Sequence, residues 1–153
     1  MFELRIPTEE LQVRGPLFAA GQAWLRLGEV DFPEHGWTDL PLSVFGSLHH
    51  AAGQVSRGET CDAYFFEGSY FVKLIPAASI PGAGRLVRIV GLYDGDAEFP
   101  EGGAEIRADI MLPLKAVSRN LNAVLCTLRT WATADGDAES AAMLGQMAFL
   151  PEH

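Results

Sequence analysis

The chain is short of basic residues: 11 lysines and arginines stand against 20 aspartates and glutamates in 153 residues, for a formal net charge of −9. That balance argues against nucleic acid as a partner, because phosphates reward lysine and arginine. Cysteine is scarce too. Cys61 and Cys126 are the two present, and neither belongs to a Cys-x-x-Cys pair. In a chain able to build its own core, two isolated cysteines read as buried thiols of a reducing compartment. No run approaches the ~20 apolar residues of a membrane helix. The first residues, Met1-Phe2-Glu3-Leu4-Arg5, put a carboxylate and then an arginine where a signal peptide carries its basic and apolar regions. The expectation is a cytoplasmic protein with no membrane partner.

What is present suffices for a globular fold. The composition, 48% hydrophobic and 10% aromatic, lies far from the disordered range. A length of 153 residues fits one domain spanning 1–153. A chain of this size buries about 68–70% of the surface its unfolded form exposes, so it needs no disulfide or metal staple.

The acidic residues are unevenly spread. Residues 29–39 carry Glu29, Asp31, Glu34 and Asp39; residues 94–105 carry Asp94, Asp96, Glu98, Glu101 and Glu105; residues 135–139 carry Asp135, Asp137 and Glu139. These windows hold twelve of the 20 acidic residues and none of the 11 basic ones. Each is rich in glycine or proline and reads as loop. Such segments read either as a device that keeps the protein soluble or as a surface field that steers a basic partner.

Hydrophobic periodicity supplies the elements. Phe2, Leu4 and Ile6 alternate with Glu3 and Arg5 as in a half-buried strand ended by Pro7. A second extended region covers 18–32, with Ala23, Leu25 and Leu27 on one side and Trp24 and Arg26 on the other. Thr38 reads as the N-cap of a helix running to about Arg57, with Asp39 in its first turn and Gly58 as its stop. Its stripe is Val44, Phe45, Leu48, Ala52 and Val55. Cys61–Phe66 and Tyr70–Ile75 flank Glu67-Gly68-Ser69 as a β-hairpin. Pro76–Gly84 reads as a loop, Leu86–Tyr93 as a central strand, and 105–110 as a strand with Ile106, Ala108 and Ile110 inward. Pro113 opens a second long helix in its first turn, with Leu114, Val117, Leu121, Val124, Leu125 and Leu128 at helical spacing. A short helix over 138–147 follows. This order predicts an α+β fold, a mostly antiparallel sheet with two main helices packed on one face.

No catalytic or cofactor motif stands. Asp94-Gly-Asp96-Ala-Glu98, with Glu105 twelfth, echoes a calcium loop, but the sixth position is Phe99 where an EF-hand needs glycine, and the flanks read as strands. His49 and His50 are adjacent on a helix, point about 100° apart and cannot chelate one ion. A Cys61–His49 dyad is chemically conceivable, but a thiol on an aromatic-rich strand is the habit of a buried inert cysteine. Gly82-Ala-Gly84 precedes a strand and lacks the Gly-Lys-Ser/Thr of a phosphate loop. No enzyme, metal or cofactor is expected. Trp37, inside an acidic segment, is the aromatic expected to be partly exposed.

Val30-Asp-Phe-Pro33, then Gly36-Trp-Thr-Asp39, an amphipathic helix and the Phe65-Phe-Glu-Gly-Ser-Tyr70 hairpin together cover about residues 20–75. This arrangement resembles the small acidic immunity proteins encoded beside bacterial polymorphic or contact-dependent toxins. The resemblance implies a single α+β domain that binds one toxin and blocks it, often with an acidic surface against a basic nuclease, and it transfers no catalytic residue. The resulting expectation is a non-enzymatic binding protein whose acidic groups mimic the phosphates or acidic substrate of a basic toxin. Its partner-binding candidates are Glu29, Asp31, Glu34 and Trp37; Asp94, Asp96, Glu98 and Glu101; and Asp135, Asp137 and Glu139. A second reading is a small-ligand-binding or regulatory domain with a pocket between helix and sheet.

Overall fold

A computed structural model describes residues 1–95 and 103–152. Strand β1 (Phe2–Arg5) pairs antiparallel with β4 (Trp24–Leu27), and β4 with β5 (Val30–Phe32). Phe2 lies opposite Leu27 and Leu4 opposite Leu25 on the core side, while Glu3 faces Arg26 and Arg5 faces Trp24 on the other. A second small sheet joins β2 (Gln12–Gly15), β3 (Phe18–Gln22) and β6 (Thr38–Asp39) in the order β2-β3-β6. The extended region 18–32 is thus three strands. It breaks at Ala23, whose N–H turns to the Trp37 carbonyl at 2.8 Å, and at Gly28, whose φ of +64° makes the β4–β5 turn.

The principal sheet has four antiparallel strands in the order β10-β9-β8-β7: β7 (Cys61–Tyr64), β8 (Tyr70–Ile80), β9 (Gly84–Tyr93) and β10 (Glu105–Pro113). The expected hairpin forms β7–β8. The expected loop 76–84 is mostly strand, since β8 runs to Ile80 and turns into β9 over a few residues with Gly82 and Gly84 at positive φ. Pro76 is tolerated because β7 reaches only as far as Leu74, which leaves that side of β8 an edge where a missing N–H breaks no pairing.

Helix α1 spans Pro41–Ser56 and α2 spans Leu114–Ala134. Both pack on the inner face of the four-stranded sheet, where Val72, Leu74, Val87 and Ile89 meet Phe45, Leu48, Val117, Leu121 and Leu125. This is the expected α+β class and arrangement. Both helices begin later than the sequence suggested. Thr38 and Asp39 pair with Gln22 and Gly21 of β3, so they are strand and not cap. Pro41 holds the first helical position, and a residue before proline is pushed from the α region, which keeps Leu40, at φ −104° and ψ 88°, out of the helix. Pro113 likewise is the extended cap before α2. The short helix α3 (Ala138–Gln146) returns against α2, and Arg129 clamps its end by donating to the carbonyls of Leu144 and Met147. No described helix is long and apolar enough to cross a membrane.

Candidate interaction surface

The face of the four-stranded sheet turned away from the helices is covered by no element among the described residues. Register places a row of cross-strand neighbours on it: Tyr64 opposite Phe71, Phe71 opposite Leu92, Leu92 opposite Ile106. Ile106 was expected inward. A bulge between Ile106 and Ala108 inserts Arg107 as an extra residue, which flips the facing of everything before it. Ile106 therefore lies outward and 58% exposed, and Tyr64 at the other end of the row is 50% exposed. Ala108 keeps its inward place and Ile110 is half-buried.

The neighbouring rows mix apolar residues, Val90, Ile75 and the exposed Met111, with ion pairs that satisfy one another. Lys73 Nζ lies 2.8 Å from Asp62, and the Arg88 guanidinium grips Asp109 with Nε at 2.9 Å and Nη2 at 2.6 Å. That bidentate pairing holds the Asp109 carboxyl below its ordinary range and Arg88 above its own, through hydrogen bonding first and charge second. The apolar row thus ends against a self-neutralised border on one side.

On the other side lies the tip of the β7–β8 hairpin. Phe66 and Glu67 are exposed there, and the Asp94 N–H donates to the Ser69 carbonyl at 2.8 Å. A shallow cleft of about 360 Å³ brings Asp62, Tyr64, Phe71 and Asp94 to one rim. The tip is held from below. Gly68, at φ +138°, lies on the Trp37 ring, where a Cβ would come within 3.2 Å of Cζ2. Trp37 sits edge-on to Tyr70 at 5.1 Å, and its indole donates to Asp39 at 2.8 Å. Asp39, 1% exposed, also accepts the backbone N–H groups of Leu40, Phe66 and Glu67.

The acidic segments therefore play unequal parts. Trp37 is half-buried and supports the hairpin, while Asp39 is wholly structural. Glu34 is exposed in the same turn, its carbonyl accepting from Trp37 N–H, and Glu29 is exposed at the β4–β5 turn. Asp31 is half-buried, 3.3 Å from Arg26 and 3.7 Å from His35. Asp94 is exposed at the cleft rim; Asp96, Glu98 and Glu101, with the loop that carries them, lie outside the described residues.

Asp39 of the first segment and Asp94 of the second both meet the 66–70 tip. The third lies at the opposite end of β3. Asp137 caps α3, accepting from Ser140 N–H at 3.0 Å, Ser140 hydroxyl at 2.6 Å and Leu17 N–H at 3.1 Å. Those bonds, the Ser140 side chain foremost, bring its carboxyl down to about 2. Asp135 and Glu139 beside it are exposed.

Tyr64, Phe66, Glu67 and Ile106 were absent from the sequence candidates. Alternation along the hairpin signalled that Tyr64 and Phe71 share a face, but nothing local marks the bulge that brings Ile106 to them. Among the chemically reactive groups, His49 Nε2 is 2.8 Å from the Ala148 carbonyl and Cys61 Sγ turns to the Asp62 carbonyl at 3.6 Å, so each is engaged separately. Among the described residues no three His, Cys, Asp or Glu side chains gather as a metal would require. No family model matches the chain, and no curated protein or solved structure is significantly similar to it.

Proposed function

We propose that this chain is a non-enzymatic binding protein that docks a basic protein on the outer face of its four-stranded sheet, and that it serves in the cytoplasm as a toxin-neutralising immunity protein. The observation that carries this reading is the apolar row from Tyr64 to Ile106 beside the exposed carboxylates of Glu67 and Asp94. Neither carboxylate forms an ion pair with a described residue. Binding energy concentrates in aromatic and aliphatic anchors shielded by a polar rim; this face supplies Tyr64 and Ile106 as anchors, and the adjoining hairpin tip supplies Phe66. The surrounding negative field selects and accelerates a basic partner. Inhibition follows by occlusion: a carboxylate cluster standing where the toxin's substrate phosphates or acidic groups would stand fills the basic site without being turned over.

The experiment is co-purification with the product of the adjacent gene, followed by binding kinetics on the isolated pair. Tyr64→Ala and Ile106→Asp are each expected to raise the off-rate by at least about tenfold, since losing an interface anchor costs about 2 kcal/mol or more. Both positions are half exposed or more, so the fold is expected to persist. A complex unaffected by either substitution would remove this face from the interface. A neighbouring product that is not a basic protein and does not bind would end the immunity reading.

A further inference from the structure

A separate site emerges on the β1-β4-β5 sheet, independent of the partner reading. Where α2 passes the edge of β1, a cleft of about 430 Å³ opens between the outer face of β1–β4, the 3-10 turn Thr8–Glu10 and the helix. That volume lies within the ~300–1,000 Å³ range of small-molecule sites. Its walls are largely apolar, with Ile6, Pro7 and Val124 contributing.

Two donors of residues that line this cleft, the Nε–H of Arg5 and the indole N–H of Trp24, are closed off from solvent and have no acceptor among the described residues. Trp24 is 5% exposed, and buried polar groups are nearly always paired, so an orphan of this kind calls for a partner. The two are direct cross-strand neighbours, Arg5 on β1 opposite Trp24 on β4, which puts both side chains on the same face. The other arm of the guanidinium is already held, with Nη2 3.1 Å from Glu3. The His35 ring covers Trp24 with centroids 4.8 Å apart, and it is itself 72% exposed and tethered only loosely, at 3.7 Å, to Asp31.

We propose that this cleft binds a small organic monocarboxylate with an apolar body. Its two oxygens accept from Arg5 Nε and Trp24 Nε1, its hydrocarbon lies against Ile6 and Val124, and the two donors are uncovered as His35 swings from the indole and the half-exposed Arg5 side chain turns toward the cleft. One guanidinium, half neutralised by Glu3, in a chain of net charge −9 suits a single negative charge and disfavours a phosphate dianion. A neutral amide offers one acceptor oxygen and turns a second donor toward donors, so it is disfavoured as well.

The test is a titration of the ¹⁵N-labelled protein with hexanoate, hexanamide and inorganic phosphate, following the Trp24 indole and Arg5 Nε signals. Trp24→Phe and Arg5→Lys assign the two signals. Hexanoate is expected to move both saturably, and hexanamide to bind at least about tenfold more weakly, as befits a hydrogen bond to a charged group. Trp24→Phe keeps the ring and loses the donor, and is expected to weaken hexanoate about tenfold. Thr127→Trp, at an exposed α2 position on the rim, is expected to fill the cleft and abolish the response without touching either donor. No saturable movement at millimolar hexanoate would overturn the proposal. So would an equal response to hexanamide, tighter binding of phosphate, or a long-lived water cross-peak on an indole that ignores carboxylates.

Discussion

The carboxylate of Asp39 holds the backbone N–H of Phe66, its two oxygens 3.1 and 3.0 Å from that nitrogen across 27 positions of sequence. The same group also accepts from Glu67 N–H, Leu40 N–H and the Trp37 indole. One buried side chain thus fixes the start of α1, the end of β6 and the hairpin tip that presents Phe66 and Glu67. Asp39→Ala leaves these donors without their acceptor, and stability is expected to fall by about 2–4 kcal/mol, since an unsatisfied buried donor costs about 1–3 kcal/mol. Asp39→Asn is expected to fare little better, because its amide turns N–H groups toward N–H groups. Urea unfolding checks this: the midpoint should drop with an unchanged slope. A wild-type midpoint for Asp39→Ala would show that the tip is held by something else.

Asp137 sets an acid limit on the α2–α3 corner. Its carboxyl stands at about 2 when folded, against an ordinary value of 3.8. A carboxyl depressed on folding contributes stability that is complete above the unfolded value and is lost as pH falls through the folded one. The window is therefore about pH 4 down to about 2. Asp137→Asn should lower the melting temperature at pH 6 and flatten its decline between pH 4 and 2. Ser140→Ala, which removes the foremost cause, should shift the Asp137 titration upward in a carboxyl-detected NMR experiment. A titration midpoint near 4 in the native chain would contradict the capping geometry.

Gly91 makes room for Phe32. A Cβ at position 91 would lie 2.9 Å from Phe32 Cδ2, and Phe32 is 1% exposed where β5 meets the inner face of β9. Gly91→Ala is expected to destabilise by about 1–3 kcal/mol through overpacking. Adding Phe32→Leu should recover part of that loss, a non-additivity typical of touching residues. Strictly additive losses in thermal unfolding would mean that the two sheets do not meet at this pair.

Much of this architecture could be read from local pattern. The stripe of α1 and the α2 residues Leu121, Leu125 and Leu128 are all buried, because a 3.6-residue period needs no knowledge of what it packs against. The β7–β8 hairpin was equally visible from its aromatic arms and Gly68. What escaped was set by distant partners. Thr38 has the chemistry of a cap, yet pairing with Gln22 and the constraint from Pro41 outweigh it. Ile106 continues an alternation in sequence, yet the Arg107 bulge sends it to the opposite face. The acidic windows were correct as composition. Composition does not distinguish Asp39, buried under four donors, or Asp137, committed to a cap, from Asp94 and Glu34 in solvent.

If the proposed basic partner docks on the outer sheet face, the acidic residues near that face and those at the far end of β3 are expected to contribute separably to association. Asp94 stands on the cleft rim with Tyr64 and Phe71 and Glu67 is exposed at the adjoining hairpin tip, whereas Asp135 and Glu139 lie beyond the far end of β3. At an ionic strength of 0.01 M the Debye length is ~30 Å, and at 0.1 M it is ~10 Å. At the lower value both pairs belong to one field, so neutralising either, as Glu67→Gln with Asp94→Asn or as Asp135→Asn with Glu139→Gln, should slow association. At the higher value only the pair near the docking face still acts, and the second double substitution should become silent. Asp137 is left intact throughout because its loss would disturb α3. The near pair should also raise the off-rate where a carboxylate meets a partner arginine, by an amount reflecting the ~2–5 kcal/mol that truncating such a pair costs. Stopped-flow association at the two salt concentrations reads out all four combinations. Equal effects of the near and far pairs at 0.1 M would place the partner elsewhere than on the outer sheet face, and no effect of either at 0.01 M would leave the negative charge without a role in binding.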